Sequence, residues 1–95
     1  MRSWKVEFSE AAYLDIQDSF LWYNNHSEKT GATFLADIDK VVSTLSINPY
    51  FQIRYKTVRC LRLRRFPHLV HFVVDDTHNL VRIVAIMHTS KKWPD

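Results

Sequence analysis

A single glycine in 95 residues leaves no means of building a phosphate-cradling loop, because such loops need several positions without a Cβ. One cysteine, Cys60, excludes an internal disulfide and a thiolate metal cluster. With three prolines and that one glycine, there is no long flexible linker. No apolar run approaches the roughly 18 residues that span a bilayer. The opening residues, Met1-Arg2-Ser3-Trp4-Lys5, enter patterned sequence at once, without a signal-peptide core. A cytoplasmic chain forming one domain, residues 1–95, is expected. Serines and histidines form no nucleophile signature. His68 and His71 fall three apart, a spacing that on a strand points them to opposite faces, so they read as strand histidines and not as a metal pair. Neither metal nor cofactor is called for.

What is present is apolar surface. The chain is 46% hydrophobic and 14% aromatic, which argues against disorder and compensates for small size. Charge is divided unevenly. Residues 1–39 hold seven acids against three Lys/Arg, and residues 40–95 hold three acids against ten. A basic second half suits either a polyanionic partner, nucleic acid or acidic protein, or simply a solvated face.

Alternation of Trp4, Val6 and Phe8 with Lys5 and Glu7 predicts a short strand. Ser9 is a good N-cap for a helix from Glu10 to about Asn25, with Ala12, Ile16, Phe20 and Tyr23 on one stripe. Asp15 and Asp18 lie off that stripe. Asn24-Asn25-His26-Ser27 reads as a break. A second helix follows from Glu28, with Phe34, Ile38, Val41 and Leu45 inward and Gly31 weakening its first turn slightly. Pro49 ends it, because the residue before a proline is driven out of helical geometry. Four strand candidates follow: Ile53–Tyr55, Val58–Phe66, His68–Asp75 and Leu80–His88. A turn near Lys56-Thr57 divides the first two, and the cluster 76–79 divides the last two. The last is so apolar that an interior place in the sheet is expected. The expected fold is α+β, in the order β-α-α-β-β-β(-β), with an αα-hairpin packed on a small, mainly antiparallel sheet. Its core should include Trp4, Val6, Phe8, Ile16, Phe20, Phe34, Ile38, Val41, Leu45, Leu61, Leu63, Val70, Phe72, Val84 and Ile86.

The strongest chemical feature is a run of cations, Arg54, Lys56, Arg59, Arg62, Arg64 and Arg65. In an extended strand Arg62 and Arg64 share one face, and Arg59 and Arg65 share the other with Leu61 and Leu63. Guanidinium groups offer fixed donors matched to phosphate or carboxylate. The alternative is an edge strand charged against aggregation. His88 closes the apolar run Val84-Ala85-Ile86-Met87 and is placed to face a ligand or accept a proton, or else to be satisfied by a nearby backbone group. Lys91, Lys92 and Trp93 pair cations with a large ring and form either a recognition tip or a frayed tail.

These segments, taken in order, resemble the RelE/ParE superfamily of type II toxins along nearly the whole chain. The carrying residues are Trp4 to Ala12, Asp15-Ile16, Trp22-Tyr23 and Asn48-Pro49-Tyr50. With them come Val58-Arg59, Arg65-Phe66-Pro67-His68-Leu69-Val70-His71-Phe72 and Val84 to Lys92. The resemblance implies a growth-inhibiting toxin, of the kind found in plasmid stabilisation, neutralised by a cognate antitoxin and possible in higher-order complexes with it. Members of the superfamily either inhibit DNA gyrase, as in the ParE-like branch, or cut mRNA in the ribosome, as in the RelE-like branch. Phe66-Pro67-His68 is similar to the ParE-like Phe-Pro-Tyr segment. If the chain is a nuclease, the resemblance makes Arg59 and Arg65 phosphate clamps and His88 the general base. Arg54, Lys56, Arg62, Arg64, Lys91, Lys92 and Trp93 would bind target or partner. The chain departs from the nuclease pattern near its end, where Lys92-Trp93-Pro94-Asp95 carries only Asp95 in place of the usual Tyr or acid. The reading therefore leans away from an enzyme and towards gyrase. A non-toxic relative acting only within the antitoxin complex is the remaining alternative.

Overall fold

The computed structural model describes residues 3–90. The elements run β1 (Lys5–Phe8), α1 (Glu10–His26), α2 (Glu28–Ile47), β2 (Ile53–Tyr55), β3 (Val58–Arg62), β4 (His68–Asp75) and β5 (Leu80–His88). This is the expected α+β order. One mixed sheet has the strand order β1-β5-β4-β3-β2, with β1 parallel to β5 and every other pairing antiparallel.

The helical hairpin is built on two serine caps. Ser9 accepts the Ala12 N–H at 3.1 Å and starts α1. Ser27 is at once the end of α1 and the start of α2. Its N–H donates to the Tyr23 carbonyl, and its Oγ accepts from Thr30. The break expected over four residues is thus one extended residue (φ −164°, ψ 147°). So abrupt a joint brings the helices very close. A Cβ on Gly31 would lie 2.7 Å from Asn24 Oδ1 and 2.9 Å from Asn24 Cβ. Gly31, expected only to weaken a turn, is what lets the helices meet. Asn48 ends α2 ahead of Pro49, as the sequence requires.

Phe34, Leu45, Leu63, Val70, Phe72, Val81 and Ile83 are fully buried between hairpin and sheet. Each such side chain contributes roughly 1.5–3 kcal/mol before entropy is counted. Trp4, Ile38, Val41 and Ile86 join them, and Val6, Phe8, Ile16, Phe20 and Leu61 pack around them half-buried. Two expectations need correction. Val84, placed in the core with Ile86, is only half-buried. Across the β4–β5 ladder His71 pairs with Ala85 and Phe72 with Ile83, so Val84 is the extra residue of a β-bulge. The bulge shifts the alternation by one, burying Val81 and Ile83 before it and Ile86 after it. Likewise, the strand expected over Val58–Phe66 ends at Arg62. The chain bends through residues 64–67, and the Asp37 carboxylate on α2 captures the Arg65 N–H at 2.7 Å.

β1 stops at its Phe8–Ile83 pair, while β5 runs on to His88. Side chains serve the edge left bare. Ser9 Oγ donates to the Val84 carbonyl at 3.2 Å, and the Asp15 carboxylate accepts the Ile86 N–H at 2.9 Å. The start of α1 therefore continues the sheet where its own strand has ended.

Candidate functional site

Along α1, Ser19, Trp22 and Tyr23 fall three and four apart and so share a face. That face stands opposite the paired ends of β4 and β5, where His68 lies across from His88. Between them is a cavity of about 230 Å³ lined by these five side chains. Tyr23 Oη is 2.9 Å from His68 Nε2, and the two histidine rings are 5.4 Å apart, edge to face. His68 is 6% exposed, wedged also against Phe34.

The electrostatics favour a neutral His68. Burial holds its pKa below the ordinary histidine value, and the neighbouring His88 lowers it further. Burial likewise raises the Tyr23 phenol. The Nδ1 atom of His68 is buried without a hydrogen-bond partner. With Nε2 engaged by Tyr23, a neutral imidazole must therefore leave either a lone pair or an N–H unsatisfied. His88 is exposed and differently held. Its Nδ1 accepts the Ser90 N–H at 3.1 Å and meets Ser90 Oγ at 2.8 Å. Nε2 then carries the proton of the neutral ring and is the group His88 offers outward. Tyr23 and His68 share a hydrogen bond, and His88 stands beside them as a second imidazole.

The other sequence candidates are dispersed. Arg59 lies opposite Phe72, four residues along β4 from His68. Its guanidinium donates to the Phe51 carbonyl at 2.6 Å and sits 5.3 Å from the Tyr50 ring centroid. That half-buried group ties the chain after α2 to the sheet. Arg65 lies in the bend that leads into His68, with its side chain exposed. Pro67 in that bend accepts the Thr89 N–H at 2.8 Å, which keeps the bend beside the end of β5. The structure therefore brings His88 and the Arg65 bend to one end of the sheet and leaves Arg59 outside. Arg62 and Arg64 line a separate cavity against α2. Arg54 is exposed on β2, and Lys56 turns the β2–β3 hairpin with a φ of 50°. Lys91, Lys92 and Trp93 lie outside the described residues.

His68 and His71 do occupy opposite faces of β4. His71 is buried on its own side, with Nδ1 3.0 Å from Tyr55 Oη. Among the described residues no three His, Cys, Asp or Glu side chains gather as metal ligands. Ser19, Trp22 and Tyr23 were not singled out for a site by the sequence reading. The signal available was their spacing opposite a strand that ends in histidine, and nothing local pairs Tyr23 with a residue 45 positions on. No helix among the described residues is long and apolar enough to cross a membrane.

By sequence alone, no curated protein matches the chain. Solved structures do match in fold. A chain of the chromosomal ParDE toxin–antitoxin system from P. aeruginosa aligns with a TM-score of 0.77 at 19% identity, over 95% of this chain and 100% of that one. A chain of the RelBE2 toxin–antitoxin complex from Mycobacterium tuberculosis gives 0.66 at 19%, over 96% and 97%. A chain of the intact E. coli RelBE complex gives 0.70 at 15%, over 94% and 100%. Identities this low speak for the fold. The family is fixed by its sequence profile, that of the ParE toxin of type II toxin–antitoxin systems, parDE, which matches residues 6–93. Matched over nearly its full length and folded as those toxins fold, the chain belongs to the ParE toxin family of type II toxin–antitoxin systems.

Proposed function

We propose that the chain is a toxin that acts by binding DNA gyrase and is neutralised by a cognate antitoxin protein. The observation that carries the binding mode is the engagement of Arg59. An RNA-cutting site needs a cation at the phosphate and a base at the ribose hydroxyl in one place. Of the two clamp candidates, Arg59 is spent on the Phe51 carbonyl, away from His68 and His88, which leaves only the exposed Arg65 at their end of the sheet. A binder needs only complementary charge at the surface, and Arg54, Lys56, Arg62, Arg64 and Arg65 are all exposed. Lys91, Lys92 and Trp93 belong to the same proposal by their place after β5. The ParE profile and the Phe66-Pro67-His68 segment support gyrase as the target. The similar structures are toxin–antitoxin systems, which supports an antitoxin partner here. Its acids would meet these cations from an amphipathic helix or an added strand.

One observation favours a second reading, ribosome-dependent mRNA cleavage: Tyr23, His68 and His88, three groups of acid–base type, line one cavity. The experiment assays the purified chain for inhibition of supercoiling and for mRNA cleavage on ribosomes, alongside His88→Ala. Inhibited supercoiling with intact mRNA is expected. Ribosome-dependent cleavage that disappears in His88→Ala overturns the gyrase reading. Expression without growth arrest leaves only a role within the antitoxin complex.

A further inference from the structure

The cavity between α1 and the paired ends of β4 and β5 has a floor and a rim of different character. Tyr23 and His68, both largely buried, form the floor, and Oη and Nε2 satisfy each other there. Trp22 and His88, both exposed, form the rim, and Ser19 lines the wall half-buried. Two polar groups are left to serve an occupant. Among the described residues the Ser19 hydroxyl has no hydrogen-bond partner. His88 offers Nε2–H, because its Nδ1 accepts from the Ser90 N–H. Trp22 is the anomaly. Tyr23 meets its ring edge-on at 5.2 Å and His26 lies parallel at 6.4 Å, yet Trp22 is 66% exposed. A ring of that size gains most when a second flat surface covers it.

Charge limits what can enter. Among the described residues no Lys, Arg, Asp or Glu lines the cavity. An ion placed there loses its water and gains no counter-charge in return. Two imidazoles without a third ligand also make a poor metal site. Size is the second limit. At about 230 Å³ the cavity is smaller than the roughly 300–1,000 Å³ of sites for drug-sized molecules, so one or two fused rings fill it.

We infer that this cavity binds a free, uncharged, planar heteroaromatic molecule of one or two fused rings, whose edge sets a hydrogen-bond donor next to an acceptor, as a lactam does. The ring stacks on the Trp22 indole and rests on the Tyr23–His68 floor. Its carbonyl accepts from His88 Nε2–H, and its N–H donates to Ser19 Oγ. Such an occupant touches α1 through Ser19 and Trp22 and the sheet through His68 and His88, so it clamps helix to sheet and stabilises the fold. The inference stands apart from the gyrase reading, since none of the described cations of that reading lines the cavity.

The test titrates the full chain with hypoxanthine, a neutral lactam of two fused rings, and follows backbone and indole N–H resonances by NMR. Quinoline, of the same size but with an acceptor and no donor, runs beside it. So does inosine monophosphate, which carries the same base with a phosphate. Hypoxanthine should move the resonances of Ser19, Trp22, His68 and His88 saturably and raise the melting temperature. Quinoline should bind about tenfold weaker for want of the second hydrogen bond. Inosine monophosphate should bind no tighter than the free base. Ser19→Ala and Trp22→Ala should each weaken hypoxanthine about tenfold, while thermal unfolding shows both variants folded. The absence of a saturable shift at these residues overturns the inference. Equal affinity for quinoline, or hypoxanthine affinity unchanged in the folded variants, does the same. Tighter binding of inosine monophosphate that weakens as salt is raised makes the cavity a phosphate site and also overturns it.

Discussion

The carboxylate of Asp15 accepts the backbone N–H of Ile86 at 2.9 Å, joining positions 71 residues apart in the chain. The bond seals the edge of β5 beyond the end of β1. Asp15→Ala leaves that N–H facing a helix, and an unmet buried donor costs about 1–3 kcal/mol. Asp15→Asn keeps an acceptor oxygen and should lose less than half as much. Urea unfolding of the two variants checks the order, and equal losses would show that charge, not the bond, is what matters.

Gly31→Ala should destabilise the protein even though alanine is favoured over glycine within a helix by about 1 kcal/mol. The added Cβ enters the space held by Asn24. Overpacking of this kind costs about 1–3 kcal/mol, so the sign of the change decides the matter. A raised melting temperature would show that the two helices separate freely.

Arg59→Ala should act on stability, since it removes a charge-assisted bond to the Phe51 carbonyl worth about 1.5–3 kcal/mol. Arg62→Ala and Arg64→Ala, both exposed, should stay within about 0.5 kcal/mol of wild type. Denaturant midpoints separate these cases before any assay of toxicity is interpreted.

Stability should fall as the solution is acidified through the histidine range. The pKa values of His68 and His71 are both held down, first by burial. His88 lowers His68 further, and Asp15 partly offsets the effect at His71. Above the unfolded value, near about 6.5, both states are neutral and the stability is complete. Below it the unfolded chain takes up protons that the folded chain refuses, so stability is lost from there down to the folded pKa values. Melting temperatures between about pH 7 and pH 5 should show this slope, and His68→Gln/His71→Gln should flatten it.

Both helices and β4 and β5 are readable in the sequence because their signals are local: serine caps, a proline stop and regular apolar spacing. The core follows from the same spacing as far as β5, where the sequence reading takes Val84 with Ile86 and misses the buried Val81 and Ile83. There the pattern misleads, since a bulge inserts one residue without any mark in composition. β3 looks longer in sequence than it is because Leu63 continues its alternation, although the bend after it is fixed by Asp37 from α2. The candidate site is legible only in part. His88 announces itself by ending an apolar strand. Tyr23 reads as core, and Arg59 reads as a free cation until its bond to Phe51 is seen. In each of these cases the deciding contact is far away in sequence.

The parallel pairing of β1 with β5 also sets an order of events during synthesis. Lys5 cannot find its neighbour until Leu80 has been made. The α1–α2 hairpin needs only nearby contacts and can form early, but its apolar stripe has no cover until the sheet assembles. The cavity of Tyr23, His68 and His88 likewise does not exist before β5 is in place. A chain still being translated therefore holds only fragments of its folded surface, and the complete fold reaches the cell only when synthesis has passed β5.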